Sequence, residues 1–580
     1  MEASSLAARR AGDLAAIVRA LAAPEPLDER AIGRVLRRFP KDGRGFYSKR
    51  EILRAYRDGA WRPLPDAEFA ARLRTCPTRT LSGITPVTVL TRPFPCPGRC
   101  IFCPSDVRMP KSYLASEPGC QRAERNRFDP YLQTWNRLAA YRGMGHPTDK
   151  IELIVLGGTW SHHPVAYQRW FVARCFEAMT DFGEGHDARD AVATPAPRVP
   201  GLSARGSYNQ RIAPLSRVVA GEEASWRRVE QAQRANEDAH ARCVGLSLET
   251  RPDAITPGEV VRLRRLGATR IQLGLQSLSD AVLAANRRGH DVAASRRAMA
   301  LLRRAGFKVH VHWMANLKGS DPARDRLDFV RLFDDADFRP DEVKIYPCSL
   351  VETADLMQDW RDGSWQPYRT DVLVDLLADV IEQVPRYCRV TRVIRDIPSP
   401  DIVVGNKRTN LREDVEARLA ARGGRAREIR QREIRGHAVA ARGLSLSVHS
   451  YAAGDGRECF VEACTPDGRL AGFARLHLPG VSGGAAAAGP AELEGAALLR
   501  EVHVYGAQVG LGARAAGRAQ HAGLGTRLVD RAASLAGAAG YERLAVISAV
   551  GTRVWYRRLG FSDGALYQHR ATAPAARSQP

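Results

Sequence analysis

The segment CPGRCIFCPSD, residues 96–106, places Cys96, Cys100 and Cys103 within eight residues of a 580-residue chain that has only 11 cysteines. Three thiolates at C-x3-C-x2-C spacing cannot close the four-ligand shell of a structural zinc site. They can hold a [4Fe–4S] cluster and leave one iron open. An open iron takes a small chelating ligand, and the amine and carboxylate of S-adenosylmethionine (SAM) form such a chelate. Electron transfer into the sulfonium then yields a 5′-deoxyadenosyl radical. The competing readings are a chance cysteine cluster or a zinc knuckle, and Cys120 is a candidate fourth ligand. Further on, the apolar run ELIVL leads into Gly157, Gly158 and Thr159. Glycines there let the backbone come close to the amino group of a bound SAM.

A second constellation is QHAGLG, Gln520 to Gly525, at the start of a helical stretch. Gln520, His521, Gly523 and Gly525 fit the Q/R-x-x-G-x-G/A loop whose backbone N–H groups cradle the pyrophosphate of coenzyme A at a helix N-terminus. The loop follows the strand-like REVHVYG and precedes a further strand and VWYRRLGF, the element order of a GNAT acetyltransferase. Read blandly, it is a helix cap.

These groups need rigid elements to position them. Residues 79–400 alternate apolar runs with amphipathic stretches such as PGEVVRLRRLGA. The runs at 150–158, 243–250, 269–277, 307–317, 341–347 and 389–397 read as continuous apolar, buried parallel strands, and the pattern as a partial (βα) barrel of the α/β class. Residues 184–240 read as an insertion or long loop. Residues 401–439 are a charged connector, and 440–580 form an α+β domain in which alternation precedes one long helix. The stretch 479–497 is low-complexity.

Residues 1–78 read as a basic helical segment. Between 31 and 59 there are nine Lys/Arg against three acids, with Phe46, Tyr47 and Tyr56 interleaved. Such a surface suits phosphate contact and base stacking, with Arg37, Arg38, Lys41, Lys49 and Arg50 as candidates; the bland reading is a solvated helix pair. The net charge of +23 and pI near 10.0 point to a polyanionic partner. No run of 18 apolar residues predicts a membrane span, the N-terminus lacks a secretory h-region, and an odd cysteine count suits reduced thiols, so a cytoplasmic protein is expected.

A radical-SAM barrel followed by a GNAT domain resembles the catalytic subunit of Elongator and its stand-alone archaeal and bacterial relatives. The resemblance covers essentially the whole chain. It rests on SKREILRAYR, CPGRCIFCP, PKSYLASEPGCQRAERNRFDPYLQ, ELIVLGGTW, LSLETRPD, LGLQSL, NRRGHD, ADFRPDEVKIYP, VTRVIRDIP, NLRE, REVHVYG, QHAGLG and ISAVGTRVWYRRLGF. It implies an enzyme that forms 5-carboxymethyluridine at the wobble uridine (position 34) of tRNA, with acetyl-CoA supplying both carbons and the radical drawn from SAM. By the same resemblance Cys96, Cys100 and Cys103 are cluster ligands, and Gly157, Gly158 and Thr159 lie on the SAM side. Glu249, Arg251 and Gln276, at strand ends facing the barrel mouth, are assigned to SAM or substrate. Lys111 and Tyr113, and with similar standing Lys344 and Tyr346, are assigned to SAM or the acetyl donor. Tyr556 stands near the thioester sulfur, where a phenol can protonate a leaving thiolate. An external electron donor is required; accessory subunits are not.

Two departures alter expectations. Trp555 replaces the first of two adjacent family tyrosines, and the hinge AREIRQREIRG lacks the cysteines that hold zinc in relatives, so zinc is not expected and Cys348 and Cys388 read as plain thiols. The rival readings are a GNAT protein-lysine acetyltransferase with a structural cluster and a non-catalytic tRNA-binding scaffold.

Overall fold

β-branched and apolar residues at every second position build a curved parallel sheet. Its strands are β1 (Thr85–Leu90), β2 (Lys150–Leu156), β3 (Arg242–Thr250), β4 (Arg270–Gln276), β5 (Lys308–Trp313), β6 (Glu342–Ile345) and β8 (Arg389–Arg392), paired side by side in that order. β7 (Leu350–Val351) and β9 (Ile402–Val404) form a separate antiparallel ribbon. The computed structural model describes residues 2–23, 27–42, 45–192, 194, 207–216, 221–435, 437, 443–480, 489–506 and 523–572.

Helices 130–143, 165–184, 292–304 and 322–334 cover the outer face, while helix 118–125 packs on β1 beside the lumen. Several start on a side-chain cap that satisfies an orphan N–H: Asp129 accepts from Leu132, Thr256 from Glu259 and Asp291 from Ala294. The expectation of continuous apolar strands is corrected here. In β2 the helix-facing Ile151, Leu153 and Val155 are buried, whereas Glu152, Ile154 and Leu156 line an open lumen. β5, KVHVHW, likewise turns Lys308, His310 and His312 to the lumen, although every residue after Lys308 is buried. The sheet is a half-barrel with a polar inner face, so its strands have period 2.

A second sheet runs β10-β11-β12-β13-β14-β16-β15. Its strands are β10 (Ser445–Ala453), β11 (Gly456–Cys464), β12 (Leu470–Leu478), β13 (Ala496–Val504), β14 (Arg543–Val546), β15 (Ser562–Asp563) and β16 (Gln568–Ala571). All pairs are antiparallel except β13 with β14. That parallel pairing ends at Leu499 with Val546, and β13 continues alone on that side to Val504. The cleft between diverging parallel strands is closed at its back by helix 524–538, which packs on β12 and β13. A bulge lies opposite Arg475 and Leu476, which pair with Glu501 and Leu499, leaving Arg500 as the extra residue. Bulges re-aim side chains, and this one turns Arg500 toward Asp341 of the half-barrel.

One apolar core runs through both sheets, from Val87 and Leu153 to Leu499 and Leu528. The N-terminal helices 2–21, 29–38, 49–58 and 66–73 keep their own core around Ile17, Ile52, Tyr56 and Phe69, with the last two rings stacked at 3.9 Å. Among the described residues no helix is long and apolar enough to cross a membrane.

Candidate functional site

The cysteine loop follows β1 directly and sits at the C-terminal ends of the strands, where (βα) folds carry their sites. Cys100 and Cys103 are buried and Cys96 is half-buried. Asn209 clamps Cys96 from both sides: its Oδ1 accepts from the Cys96 N–H at 3.0 Å, and its Nδ2 donates to the Cys96 carbonyl at 2.6 Å. The Cys103 and Ser112 side chains are 2.7 Å apart, and Thr159 Oγ1 lies 3.6 Å from Cys96 Sγ. Arg288 Nη1 donates to Cys100 Sγ at 3.2 Å. Burial pushes the Cys100 thiol up, but Arg288, helped by Arg251 and Lys111, outweighs it and the net direction is down. Burial pushes the Cys103 thiol up.

Arg251 is held bidentately by Asp253 at 2.9 Å and donates to the Arg288 carbonyl at 2.8 Å. Its Nη1 is buried and has no hydrogen-bond partner among the described residues, and neither has Arg288 Nε. A Cβ on Gly98 would lie 2.4 Å from Arg251 Nη1, so a side chain there requires this guanidinium to shift. The donor set therefore fits a [4Fe–4S] cluster: three thiols, and cationic groups beside them that favour thiolates and a net-negative cluster. Among the described residues no group of three or more His, Cys, Asp or Glu is gathered for a single metal ion. A cluster that takes one thiolate per iron does not require that close gathering.

Beyond β2, Gly157 and Gly158 adopt φ of +139° and +85°. A Cβ on Gly157 would fall 1.9 Å from Thr91 Oγ1, so the chain passes Thr91 only as glycine. Gln276 also has positive φ, +74°, and its buried Oε1 has no partner among the described residues. Lys111 Nζ donates to Ser105 Oγ, reaches the Cys103 carbonyl at 3.5 Å and stands over the Tyr208 ring at 5.1 Å. Lys111 is thus tied to the cysteine loop itself.

The half-barrel lumen carries a polar ladder. Tyr113 OH donates to Glu249 Oε2 at 3.0 Å; Glu249 Oε1 is 3.8 Å from His312 Nδ1; His312 Nε2 lies 3.3 Å from Gln272 Oε1, which also accepts from Lys344 Nζ. Burial depresses the Lys344 amine to about 7, against the partial support of Glu249. Lower down, Arg270 pairs with Glu152 at 2.8 Å and Glu342 at 3.2 Å, and Lys308 with Glu501 of β13.

At that lower end lies the cleft between the diverging β13 and β14, where the acetyltransferase site is expected. Tyr556 is buried and burial raises its phenol, so it keeps its proton. Gly525 opens helix 524–538 with Trp555 packed so close that a Cβ would lie 3.2 Å from the indole. Gly523 takes φ +80° just ahead of the helix. Gln520 and His521 lie outside the described residues. His503 is half-buried beside Tyr505 at 4.3 Å, its Nε2 without a partner among the described residues, and desolvation holds its imidazole near 4, hence neutral. One cavity of about 1300 Å³ is lined at one end by Ser112, Tyr113 and Glu249 and at the other by His503, Gly525 and Tyr556.

Of the sequence-predicted residues, Tyr113, Glu249, Gln276, Lys344, Tyr346, Gly523, Gly525 and Tyr556 line this space; Cys96, Cys100, Cys103, Lys111, Gly157, Gly158, Thr159 and Arg251 do not, and Phe102 is the lining residue that the cysteine loop contributes. The N-terminal candidates divide differently. Arg37, Arg38 and Arg50 are exposed, while Lys41 is paired with Glu51 at 2.5 Å and Lys49 with Glu29 at 2.6 Å. Sequence reasoning missed the roles of Asn209, Arg288, Glu501 and His503. Arg288 and His503 stood inside quoted motifs, NRRGHD and REVHVYG, but nothing local to Asn209 distinguishes it.

Comparison with known proteins agrees with this geometry. Residues 217–332 match the Radical SAM superfamily and residues 340–421 the Radical_SAM C-terminal domain. The tRNA uridine(34) acetyltransferase of Dehalococcoides mccartyi is 38% identical over 489 residues, 83% of this chain and 96% of that one. Elongator complex protein 3 of Danio rerio is 33% identical, covering 84% of each chain. The solved structure of the archaeal Methanocaldococcus infernus Elp3, lacking its N-terminus, superposes with a TM-score of 0.66 at 31% identity, over 84% of this chain and 99% of that one. Cysteine loop, glycine turn and acetyltransferase cleft occur here on a frame shared along nearly the full length of those relatives, and the chain belongs to the tRNA uridine(34) acetyltransferase and Elongator complex protein 3 family of radical SAM proteins.

Proposed function

We propose that this chain is a tRNA-modifying enzyme that uses SAM radical chemistry and acetyl-CoA to form 5-carboxymethyluridine at the wobble uridine. The names of its relatives, tRNA uridine(34) acetyltransferase, support the substrate and the acyl donor. The observation that carries the reading is one cavity that runs from Phe102, between the second and third cysteines, past Tyr113 and Glu249 to His503, Gly525 and Tyr556. A lysine acetyltransferase with a structural cluster has no use for that connection, and a scaffold has no use for either end.

A [4Fe–4S] cluster with SAM, when bound, supplies one-electron chemistry that can remove hydrogen from an unactivated carbon. Cys96, Cys100 and Cys103 would hold it, with Arg251 and Arg288 compensating its charge. Gly157 and Gly158 bring backbone close to the SAM side, and Glu249 and Tyr113 close the mouth by their 3.0 Å hydrogen bond. At the other end, the neutral His503 imidazole can accept a proton from water, and the Tyr556 phenol can give one to the thiolate that leaves. Arg37, Arg38 and Arg50 are the exposed basic groups placed to meet tRNA phosphates, in the cytoplasm where tRNA is found. An external reductant supplies the electron.

The test is anaerobic incubation of reconstituted protein with SAM, reductant, tRNA and acetyl-CoA labelled with 13C at both acyl carbons, followed by nucleoside mass spectrometry. The expected product is a carboxymethylated uridine carrying both labelled carbons. Label on protein lysines, with unmodified tRNA, would replace this reading by the lysine acetyltransferase one.

A further inference from the structure

The two ends of the cavity are separated by the height of the half-barrel. β2 has seven residues, which at about 3.3 Å each makes roughly 20 Å. The cysteine loop sits past the C-terminal ends of the strands, whereas Glu501, His503 and Tyr556 lie at their N-terminal ends, where Lys308 of β5 meets Glu501. An acyl group seated in the acetyltransferase cleft cannot touch anything held by the cysteines unless it crosses that height.

The lumen is built for a crossing. A closed (βα) barrel fills its interior with branched apolar side chains. Here the inward positions carry Gln272, His310, His312, Glu342 and Lys344 instead, although desolvating such groups is unfavourable. The opposite wall differs. Pro86, Thr88 and Leu90 of β1 and Ile154 and Leu156 of β2 line the same cavity, with Thr88 and Ile154 directly paired in register. Thr88 and Ile154 are half-buried, so space lies in front of them. Above the Glu152–Arg270 pair, the lumen therefore has one largely apolar wall and one wall of hydrogen-bonding groups.

The acyl-bearing arm of coenzyme A has the complementary character. It is a narrow chain in which methylene groups alternate with two amides, ending in a thioester carbonyl. We propose that the half-barrel lumen is an acyl passage: the acetyl-bearing arm enters beside Tyr556 and threads between the β1–β2 wall and Gln272, His312 and Lys344 toward the cysteine loop. The inference rests on the reading of acetyl-CoA as the donor, and specifies the route by which its methyl group meets the radical chemistry.

Two variants at Thr88, midway up the lumen, test it. Thr88→Trp fills the passage from its apolar wall. It is expected to keep its iron, its acetyl-CoA binding by equilibrium dialysis and its SAM cleavage, while transfer of label from acetyl-CoA to tRNA falls on the order of 100-fold. Undiminished transfer would overturn the passage. Thr88→Cys places a thiol on the route and needs no turnover. With chloroacetyl-CoA, the introduced thiolate attacks the chloromethyl carbon, forming a C–S bond and expelling chloride. Peptide mapping should find the adduct on the peptide containing position 88, suppressed by excess acetyl-CoA. If bound chloroacetyl-CoA leaves that thiol unmodified, or acetyl-CoA fails to protect it, the passage is wrong. Should Thr88→Trp not fold, the alkylation result decides. Should the parent protein transfer no label to tRNA, the proposed function fails, while alkylation still reads the passage on its own.

Discussion

Arg500, in the acetyltransferase sheet, grips both carboxylate oxygens of Asp341 at the foot of the half-barrel, at 3.1 and 2.5 Å. The same guanidinium donates to Glu458 at 2.8 Å and to the Phe307 carbonyl at 2.6 Å. Arg475 adds a bond to the Tyr387 carbonyl at 2.7 Å and an ion pair with Glu501 at 2.8 Å. The junction is a desolvated charge network embedded in a shared apolar core.

Breaking one partner of such a network leaves buried charge uncompensated. Arg500→Met removes the nearest cation from both Asp341, which keeps Arg475 at 3.4 Å and the Val309 N–H at 2.8 Å, and Glu458, which keeps His477 at 3.0 Å, and the expected loss is about 3 kcal/mol. Urea unfolding of the intact chain measures it. Pairing the change with Asp341→Asn should recover part of the loss, since one under-compensated carboxylate is removed.

Arg264 tests the junction differently. It is buried and donates to three carbonyls: Leu566 at 2.9 Å and Ser548 at 2.8 Å across the junction, and Ala268 at 3.1 Å within the half-barrel. Burial lowers its pKa to about 10. A lysine cannot reproduce the planar fork, so Arg264→Lys should cost about 1.5–3 kcal/mol in the same assay.

At the cysteine loop, Cys96→Ala should abolish SAM cleavage and leave the fold intact. Asn209→Ala removes only the clamp on the Cys96 backbone. It should reconstitute with less iron per chain and lose it faster to chelators, while far-UV circular dichroism is unchanged. Full iron retention would show that the loop holds its shape unaided.

Lys344 gives the pH prediction. Its amine, depressed by burial to about 7, faces Glu249 of β3, Arg270 of β4, His312 of β5, Glu342 of β6 and Arg392 of β8. The unfolded amine keeps its proton up to its ordinary 10.5. Between those values the unfolded chain binds the extra proton, so stability rises with pH, by at most about 1.4 kcal/mol per unit from this group. Below about 7 both states are protonated and this contribution to the slope vanishes. Lys344→Met should flatten the rise between pH 7 and 10.5 relative to the parent; parallel curves would show that the amine is solvated.

The basic N-terminus is tested by salt. Arg37, Arg38 and Arg50 are exposed, whereas Lys41 and Lys49 already have carboxylate partners. Replacing the three arginines by alanine should flatten the log–log salt dependence of tRNA binding by roughly 0.7 to 0.9 per lost contact. Replacing Lys49 as well should add less than a full contact. An unchanged slope would move the tRNA site to the barrel face and connector.

Much of this was legible in the sequence because it is local. C-x3-C-x2-C and the glycine turn after ELIVL are each written in a few adjacent residues. The strand positions were legible too, but their inner face was not. Gln272, His310, His312, Glu342 and Lys344 sit on four-to-seven-residue runs rich in valine and isoleucine, whose overall hydrophobicity masks a polar period of two. Asn209 acts on Cys96 across 113 residues, from a stretch that reads as insertion. Arg500 becomes a junction residue through a bulge, a register event that composition does not record.

The central claim is that the two ends of one cavity act on one acyl group. Acetyl-CoA deuterated at its methyl, supplied with SAM, reductant and tRNA, tests it most directly through the mass of the 5′-deoxyadenosine released. The account predicts deuterium in that product, dependent on Cys96. 5′-Deoxyadenosine released without deuterium, while the tRNA becomes modified, would contradict it.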